Sequence, residues 1–126
     1  MSLALAIADL TTTVAAISNL HVVGELLHKS RHQYELSISM AERNVVTQFG
    51  RQRVTQHVNL ELTSIKPDTG NISSMMATID NAVIADRRRD GQAQSTTNAE
   101  PWSVLDDTGR QGVVMGTTVG IIVYED

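Results

Sequence analysis

The chain has 126 residues, which is enough for one domain with a hydrophobic core and too few for two. It contains no cysteine, which excludes disulfide bonds, thiolate chemistry and zinc sites with cysteine ligands. The formal net charge of −4 disfavours nucleic-acid binding, which normally uses a basic face, so no sequence-specific nucleic-acid partner is predicted.

Hydrophobic residues make up 41% of the chain but aromatic residues only 3%, so the core must be mainly aliphatic and self-association would add stability. The apolar N-terminus lacks basic residues and is interrupted by Asp9, unlike a signal peptide. No stretch approaches the roughly 20 apolar residues of a membrane span. We expect a soluble protein made in the cytoplasm, with no membrane partner.

The first predicted element is a helix over residues 2–19. Apolar residues recur there at spacings of three and four and place one stripe against a core: Leu3, Ile7, Leu10, Val14 and Ile17. Residues 21–23 then favour a short strand or an extended link. His28 and His32 stand four apart, a spacing that could hold a metal on a helix, but the segment is not convincingly helical and no third ligand is near. We predict ordinary surface histidines and no metal site.

Residues 34–65 predict one long β-hairpin. Apolar and polar residues alternate in both halves, with one apolar face made by Tyr34, Leu36, Ile38, Met40, Val54, Val58, Leu60 and Leu62. Phe49-Gly50 supplies the turn. A strand of roughly 14 residues spans about 45 Å, more than the roughly 35 Å diameter of a domain of this length.

The outer part of the hairpin, about 41–53, loses the alternation and is predicted to form an arm. Its own domain cannot cover the arm fully, so its backbone and the apolar Val45, Val46 and Phe49 are expected to contact a partner. The alternative is a disordered or folded-back surface loop.

A second helix is predicted after the turn at residues 67–71, with Asn71 as its N-cap. Its apolar stripe is Ile72, Met75, Met76, Ile79 and Val83. Three cations, Arg87, Arg88 and Arg89, are expected in the last turn, facing solvent and favourable to the helix dipole; the alternative is that they bind an acidic partner. Residues 91–100 are polar without periodicity and predict a mobile loop.

Pro101-Trp102 opens the last β region, and the turn at 106–109 leads into a strand over residues 111–124. Both faces of this strand are partly apolar, which predicts an interior position in the sheet. Asp107-Thr108-Gly109 matches the aspartic protease triplet, but too few residues follow it to complete that fold, so a turn is the better interpretation. No catalytic arrangement is recognisable; we predict no enzyme activity and no cofactor.

These elements predict a single α+β domain over residues 1–126, with an antiparallel sheet, a long β-hairpin and two helices packed on one face. Their order, the chain length and three local patterns resemble the tail terminator proteins of long-tailed bacteriophages, also called tail completion or minor tail proteins. The patterns are the N-terminal helix at residues 1–20, the alternating strand 56–62 leading directly into the second helix, and the terminal strand 118–125.

The resemblance implies a structural virion protein. It implies a ring, expected to be a hexamer, that caps the tail tube, ends its polymerisation and presents a surface to the head connector. The partners would be other copies of the chain, the tail tube protein and head-tail connector proteins, first in the host cytoplasm and finally in the tail of the virion. The residues expected at protein interfaces are Arg43, Val45, Val46, Phe49, Arg51, Arg53, Arg87, Arg88 and Arg89.

Other classes of protein remain open. One is another phage ring subunit, such as a tail tube or head-tail connector protein. A second is a small oligomeric ligand-binding or regulatory α+β domain, which should have a concave apolar pocket with a few polar groups. A third is an enzyme whose carboxylates or histidines are brought together only by the fold.

Overall fold

The structure, a computed structural model, describes residues 1–22, 34–64, 69–107 and 113–125. In chain order the elements are α1 (Leu3–Ala15), β1 (Leu20–Val22), β2 (Tyr34–Gln48), β3 (Arg51–Ser64), α2 (Thr69–Ala85), β4 (Ser95–Asp107) and β5 (Val113–Glu125). The predicted α+β class is therefore confirmed. His28 and His32 lie outside the described residues.

The five strands form one curled half-barrel sheet in the order β1-β2-β3-β5-β4. Three neighbouring pairs are antiparallel, but β1 runs parallel to β2, with Leu20 opposite Tyr34 and Val22 opposite Leu36. The prediction of a purely antiparallel sheet is wrong at this edge. A parallel pair needs a long return connection, and the chain supplies residues 23–33 between the two strands.

The core lies between the two helices and one face of the sheet. Val58 is opposite Val119, so the even residues of β3 and the odd residues of β5 share this face. Its fully or almost fully buried strand residues are Leu36, Val54, Val58, Leu60, Leu62, Val119, Ile121 and Val123. The helices contribute Ala6, Leu10, Val14, Ile72, Met75, Ile79 and Val83 to the same cluster. Both predicted helix stripes therefore point into the core, with Leu3, Ile7, Ile17 and Met76 at its margin.

The helix ends differ from the predictions in three places. α1 ends at Ala15 and not at residue 19, so Ile17 follows the helix. Ser2 caps α1, where its Oγ accepts from the backbone N–H of Leu5 at 3.3 Å. Helix α2 already begins at Thr69, so the predicted N-cap Asn71 lies inside the helix. At the other end α2 stops at Ala85, and the three arginines follow the helix instead of forming its last turn.

Asp86 explains the early end of α2. Its carboxylate accepts from the backbone N–H groups of Arg88 at 3.2 Å and Asp90 at 2.8 Å, an alternative to helical bonding. The chain then takes a left-handed conformation at Arg89 (φ 49°), Asp90 (φ 57°) and Gly91 (φ 81°), which reverses its direction.

The predicted polar loop at 91–100 is wrong over its second half, because β4 begins at Ser95. Residues 95–98 pair with β5, from Ser95 opposite Ile122 to Asn98 opposite Val119. Thr96 is fully buried, and its hydroxyl donates to the carbonyl of Arg87 at 2.8 Å. Pairing with β5 gives these polar residues a strand conformation that their own pattern does not predict.

Candidate interaction surface

The hairpin closes in a regular two-residue turn. Strands β2 and β3 pair without a gap from Arg43 opposite Gln56 out to Gln48 opposite Arg51. Phe49 (φ 52°) and Gly50 (φ 75°) both have positive φ, the geometry of the type I′ turn that joins twisted strands. The predicted hairpin and its turn are confirmed, and the alternative of a disordered or folded-back loop at 41–53 is wrong.

Apolar side chains lie exposed on the tip, which comprises residues 43–53. Phe49 is 96% exposed, Val46 56% and Val45 49%. Val45 is opposite Val54 and points to the helix side of the sheet, whereas Val46 is opposite Arg53 and points to the other side. The tip therefore presents apolar surface on both sides of a paired ladder.

The arm has more support than a lone hairpin would. β5 continues alongside β3 as far as Glu125 opposite Gln52, so three strands run together towards the tip. Beside this third strand, an Nη of Arg43 lies 3.8 Å from a carboxylate oxygen of Glu125. A tip that is already strand-paired before it binds loses less conformational entropy on binding than a disordered loop does.

The predicted interface residues fall into three groups. Arg43, Val45, Val46, Phe49, Arg51 and Arg53 come together on the arm and are all exposed. Arg87 and Arg88 are also exposed, but they lie in the turn after α2. Arg89 is fully buried, so the prediction that it faces solvent is wrong and its side chain offers no surface to a partner.

Arg89 instead closes the C-terminal end of α2. Its Nη2 donates to the carbonyl of Val83, in the last turn of α2, and to that of Asp86, directly after the helix. The last carbonyls of a helix have no partner within the helix. Its Nη1 lies 3.5 Å from a carboxylate oxygen of Asp9 on α1. Burial lowers the pKa of the Arg89 guanidinium, and the negative charges of Asp9 and Asp86 oppose that shift. One buried cation thus joins the end of α2 to the side of α1.

The sheet has a second face that the helices do not cover, here called the open face. It carries the side chains that alternate with the core residues, among them Thr55, His57, Asn59, Glu61, Thr118 and Ile122. The hydroxyl of Thr118 donates to Asn59 Oδ1 at 3.1 Å across the β3–β5 pair. Gly116 and Gly120 leave gaps in the row that β5 contributes.

A recess of about 180 Å³ lies on the open face beside Gly116. Its side chains come from three strands: Asn59, Glu61, Glu100, Ser103, Leu105 and Thr118. Leu105 lies over Gly116, where an added Cβ would be 2.6 Å from Leu105 Cδ1. Leu105 is still 54% exposed, so the recess combines one apolar wall with the acidic side chains of Glu61 and Glu100.

Sequence reasoning missed this recess and the role of Arg89. Glu61, Glu100 and Leu105 belong to three strands whose neighbours are set by the order of the sheet. The only local signal is the pair of glycines in β5, Gly116 and Gly120, because a glycine within a strand permits the close approach of another group. Arg89 gave no signal, because a run of three arginines after a helix usually lies in solvent.

Among the described residues, no helix is long and apolar enough to cross a bilayer. Within the same ranges, no group of three or more histidine, aspartate or glutamate side chains is arranged to hold a metal ion. The chain matches no known protein family and no curated protein.

Proposed function

We propose that this protein is a structural subunit of a bacteriophage tail, a tail terminator that assembles into a ring. The ring caps the tail tube, ends its polymerisation and presents a surface to the head connector. A hexamer is the ring that the resemblance implies. Assembly takes place in the host cytoplasm, and the protein ends in the tail of the virion.

The observation that carries the proposal is Phe49, which is 96% exposed at the end of a strand-paired arm. An exposed phenylalanine on a preformed turn gains free energy when a protein surface covers it. Full burial of such a side chain contributes about 2–3 kcal/mol, and Val45 and Val46 add apolar area beside it. This arrangement suits an assembly contact with another copy or with the tube.

The open face supports the same proposal. Both helices contribute to the core cluster on the other side of the sheet, so neither is available to cover this face. A subunit in a ring needs surfaces for two neighbours and for the tube. The tip and the part of the open face beyond it provide two surfaces of this kind on one domain.

The recess bears on the alternative of a small ligand-binding domain. Such a site is usually a cavity of about 300–1,000 Å³ with mainly apolar walls. The recess beside Gly116 is smaller, at about 180 Å³, and most of its lining side chains are polar. Three other concavities among the described residues, of about 380, 410 and 450 Å³, reach that size but are open to solvent. The exposed apolar tip favours assembly over ligand binding.

The test is the mass of the protein in solution, measured by light scattering over a range of concentrations and salt. We expect a discrete ring, or a monomer that closes into a ring on tail tubes. Growth without an end would favour a tube subunit. A stable dimer with no affinity for tubes would contradict the proposal and favour a ligand-binding protein or an enzyme.

Two matched variants connect the result to the tip. Phe49→Ser removes the exposed aromatic ring, and Leu5→Ser removes a less exposed apolar side chain from α1, where Leu5 is 55% exposed. We expect Phe49→Ser to abolish or strongly weaken ring formation and Leu5→Ser to leave it unchanged. Equal effects of the two variants on ring formation would show that the tip is not part of the ring interface.

A further inference from the structure

We infer that the arm tip of one copy docks on the acidic recess of the next copy, so that the subunits join head to tail. The occupant of the recess is thus a second copy of this chain. The inference rests on the proposed function, because it identifies the contact by which the ring closes. It assigns Phe49, Arg51 and Arg53 to one side and Glu61, Glu100 and Leu105 to the other.

Charge on the open face is separated along the strands. Arg51 and Arg53 lie on this face at the tip, on the same side of β3 as Thr55 and His57. Glu61 lies near the other end of β3, and Glu35 and Glu100 flank it on β2 and β4. On the described part of this face the two arginines lie at the tip, Glu42 lies at the base of the arm beside His57 and Asn59, and Glu35, Glu61 and Glu100 lie further from the tip.

The apolar groups of the tip and the recess also match each other, in addition to their charges. The tip carries one exposed aromatic side chain next to two cations, and the recess carries one exposed leucine next to two carboxylates. Phe49 can cover Leu105 while arginine guanidinium groups reach Glu61 and Glu100. A contact of this type joins burial of apolar area with charge complementarity, which sets both orientation and partner choice.

The tip cannot reach the recess of its own chain. Residues 51 to 61 advance along β3 by about 33 Å at roughly 3.3 Å per residue, and the pairing of β3 with β2 and β5 holds the strand extended. The contact must therefore form between copies. Because the two surfaces differ, the interface is heterologous and generates a closed ring or an open filament according to the rotation between copies.

One edge of the sheet, strand β4, is poorly suited to assembly by strand pairing. β4 is an edge strand, and its register shifts three times between Asn98 and Asp106, with Pro101 inside the second shift, between Glu100 and Ser103. Bulges and proline on an edge strand hinder the addition of another strand. The tip and the recess are thus better suited to join copies than strand pairing along β4.

Crosslinking between two single-cysteine variants tests the contact, and the absence of native cysteine makes each thiol unique. Val46→Cys places a thiol on the open-face side of the tip, and Ser103→Cys places one opposite Gly116 in the recess. The two variants are mixed and treated with a short bismaleimide. Ser73→Cys, exposed on α2, replaces Ser103→Cys in the control mixture.

We expect the mixture of Val46→Cys and Ser103→Cys to give at least about tenfold more covalent dimer than the control mixture. Charge reversal adds a second test. Arg51→Glu with Arg53→Glu, or Glu61→Arg with Glu100→Arg, should each lower the yield about tenfold or more. A mixture of the two reversed proteins should restore it, because each acidic tip then meets a basic recess.

Equal dimer yields with Ser103→Cys and Ser73→Cys would overturn the inference. If the wild-type protein forms closed rings while the Val46→Cys and Ser103→Cys mixture crosslinks no better than the control mixture, the proposed function stands and the head-to-tail contact does not. If the crosslink forms but the protein grows into filaments and never caps tubes, the contact stands and the terminator function fails. If the tip gives no crosslink and instead binds anionic phospholipid vesicles, its partner is a membrane surface and not a second copy.

Discussion

The buried Arg89 permits a prediction about what closes the end of α2. In Arg89→Met a flexible apolar side chain of similar length replaces the guanidinium. In this variant the carbonyl oxygen of Asp86 still accepts a hydrogen bond from the backbone N–H of residue 89, with an N···O distance of 3.3 Å. The carbonyl of Val83 loses its contact with Arg89 in a buried position. A buried acceptor left without a partner costs about 1–3 kcal/mol.

The ion pair with Asp9 contributes less than the carbonyl contacts. The Asp9 side chain is 28% exposed and lies 3.5 Å from Arg89 Nη1. Neither of these two atoms makes a hydrogen bond among the described residues, and Asp86 also supplies negative charge to the guanidinium. After allowance for solvent screening, we expect Asp9→Asn to cost about 1 kcal/mol or less.

We therefore expect Arg89→Met to lower the free energy of unfolding by about 2–3 kcal/mol. For a urea m-value near 1.5 kcal/mol/M, the midpoint would fall by roughly 1.5 M. Urea unfolding followed by circular dichroism and by the fluorescence of Trp102, the single tryptophan, measures this change at one fixed protein concentration. Arg88→Met is the matched control, because Arg88 is exposed and its substitution should change stability by about 0.5 kcal/mol or less.

Two results would refute this reasoning. If Arg89→Met is as stable as Arg88→Met, the carbonyl contacts do not stabilise the end of α2. If Asp9→Asn costs more than Arg89→Met, the ion pair is the dominant interaction and the Val83 carbonyl is secondary.

Three further predictions concern contacts of the sheet. The indole N–H of Trp102 donates to the carboxylate of Asp80 at 2.9 Å, so Asp80→Ala should lower stability by about 1–2 kcal/mol and change the emission maximum of Trp102; an unchanged spectrum would contradict this contact. In Gly50→Ala the added Cβ has no atom within 4 Å, but residue 50 keeps φ +75°. Backbone strain alone should therefore lower the free energy of unfolding, measured by calorimetry, by about 1 kcal/mol. Gly116→Ala brings a Cβ to 2.6 Å from the end of the Leu105 side chain, which is free to turn outward; we expect a smaller loss than for Gly50→Ala and weaker crosslinking between tip and recess.

Local patterns determined much of this fold. The alternation at 34–40 and 54–62 specified a hairpin, since a period of two permits a strand with one buried face. Phe49-Gly50 specified its turn, because glycine accepts the positive φ that a two-residue connection requires. The stripes of both helices and the interior position of β5 followed from spacing in the same way. The exposed arm was also predictable, because the sequence supplies no apolar face beyond Met40.

Tertiary structure decided the features that depend on distant neighbours. Residues 95–98 become a strand because β5 supplies a ladder for them, and β1 lies parallel to β2 because of where the chain returns. Arg89 is buried because the end of α2 meets Asp9 of α1. The recess exists because Glu61, Glu100 and Leu105 lie on three strands that the sheet order brings together. Spacing along a sequence specifies the conformation and the buried face of one element, whereas the contacts between elements depend on sheet order and chain direction, which no short stretch of sequence contains.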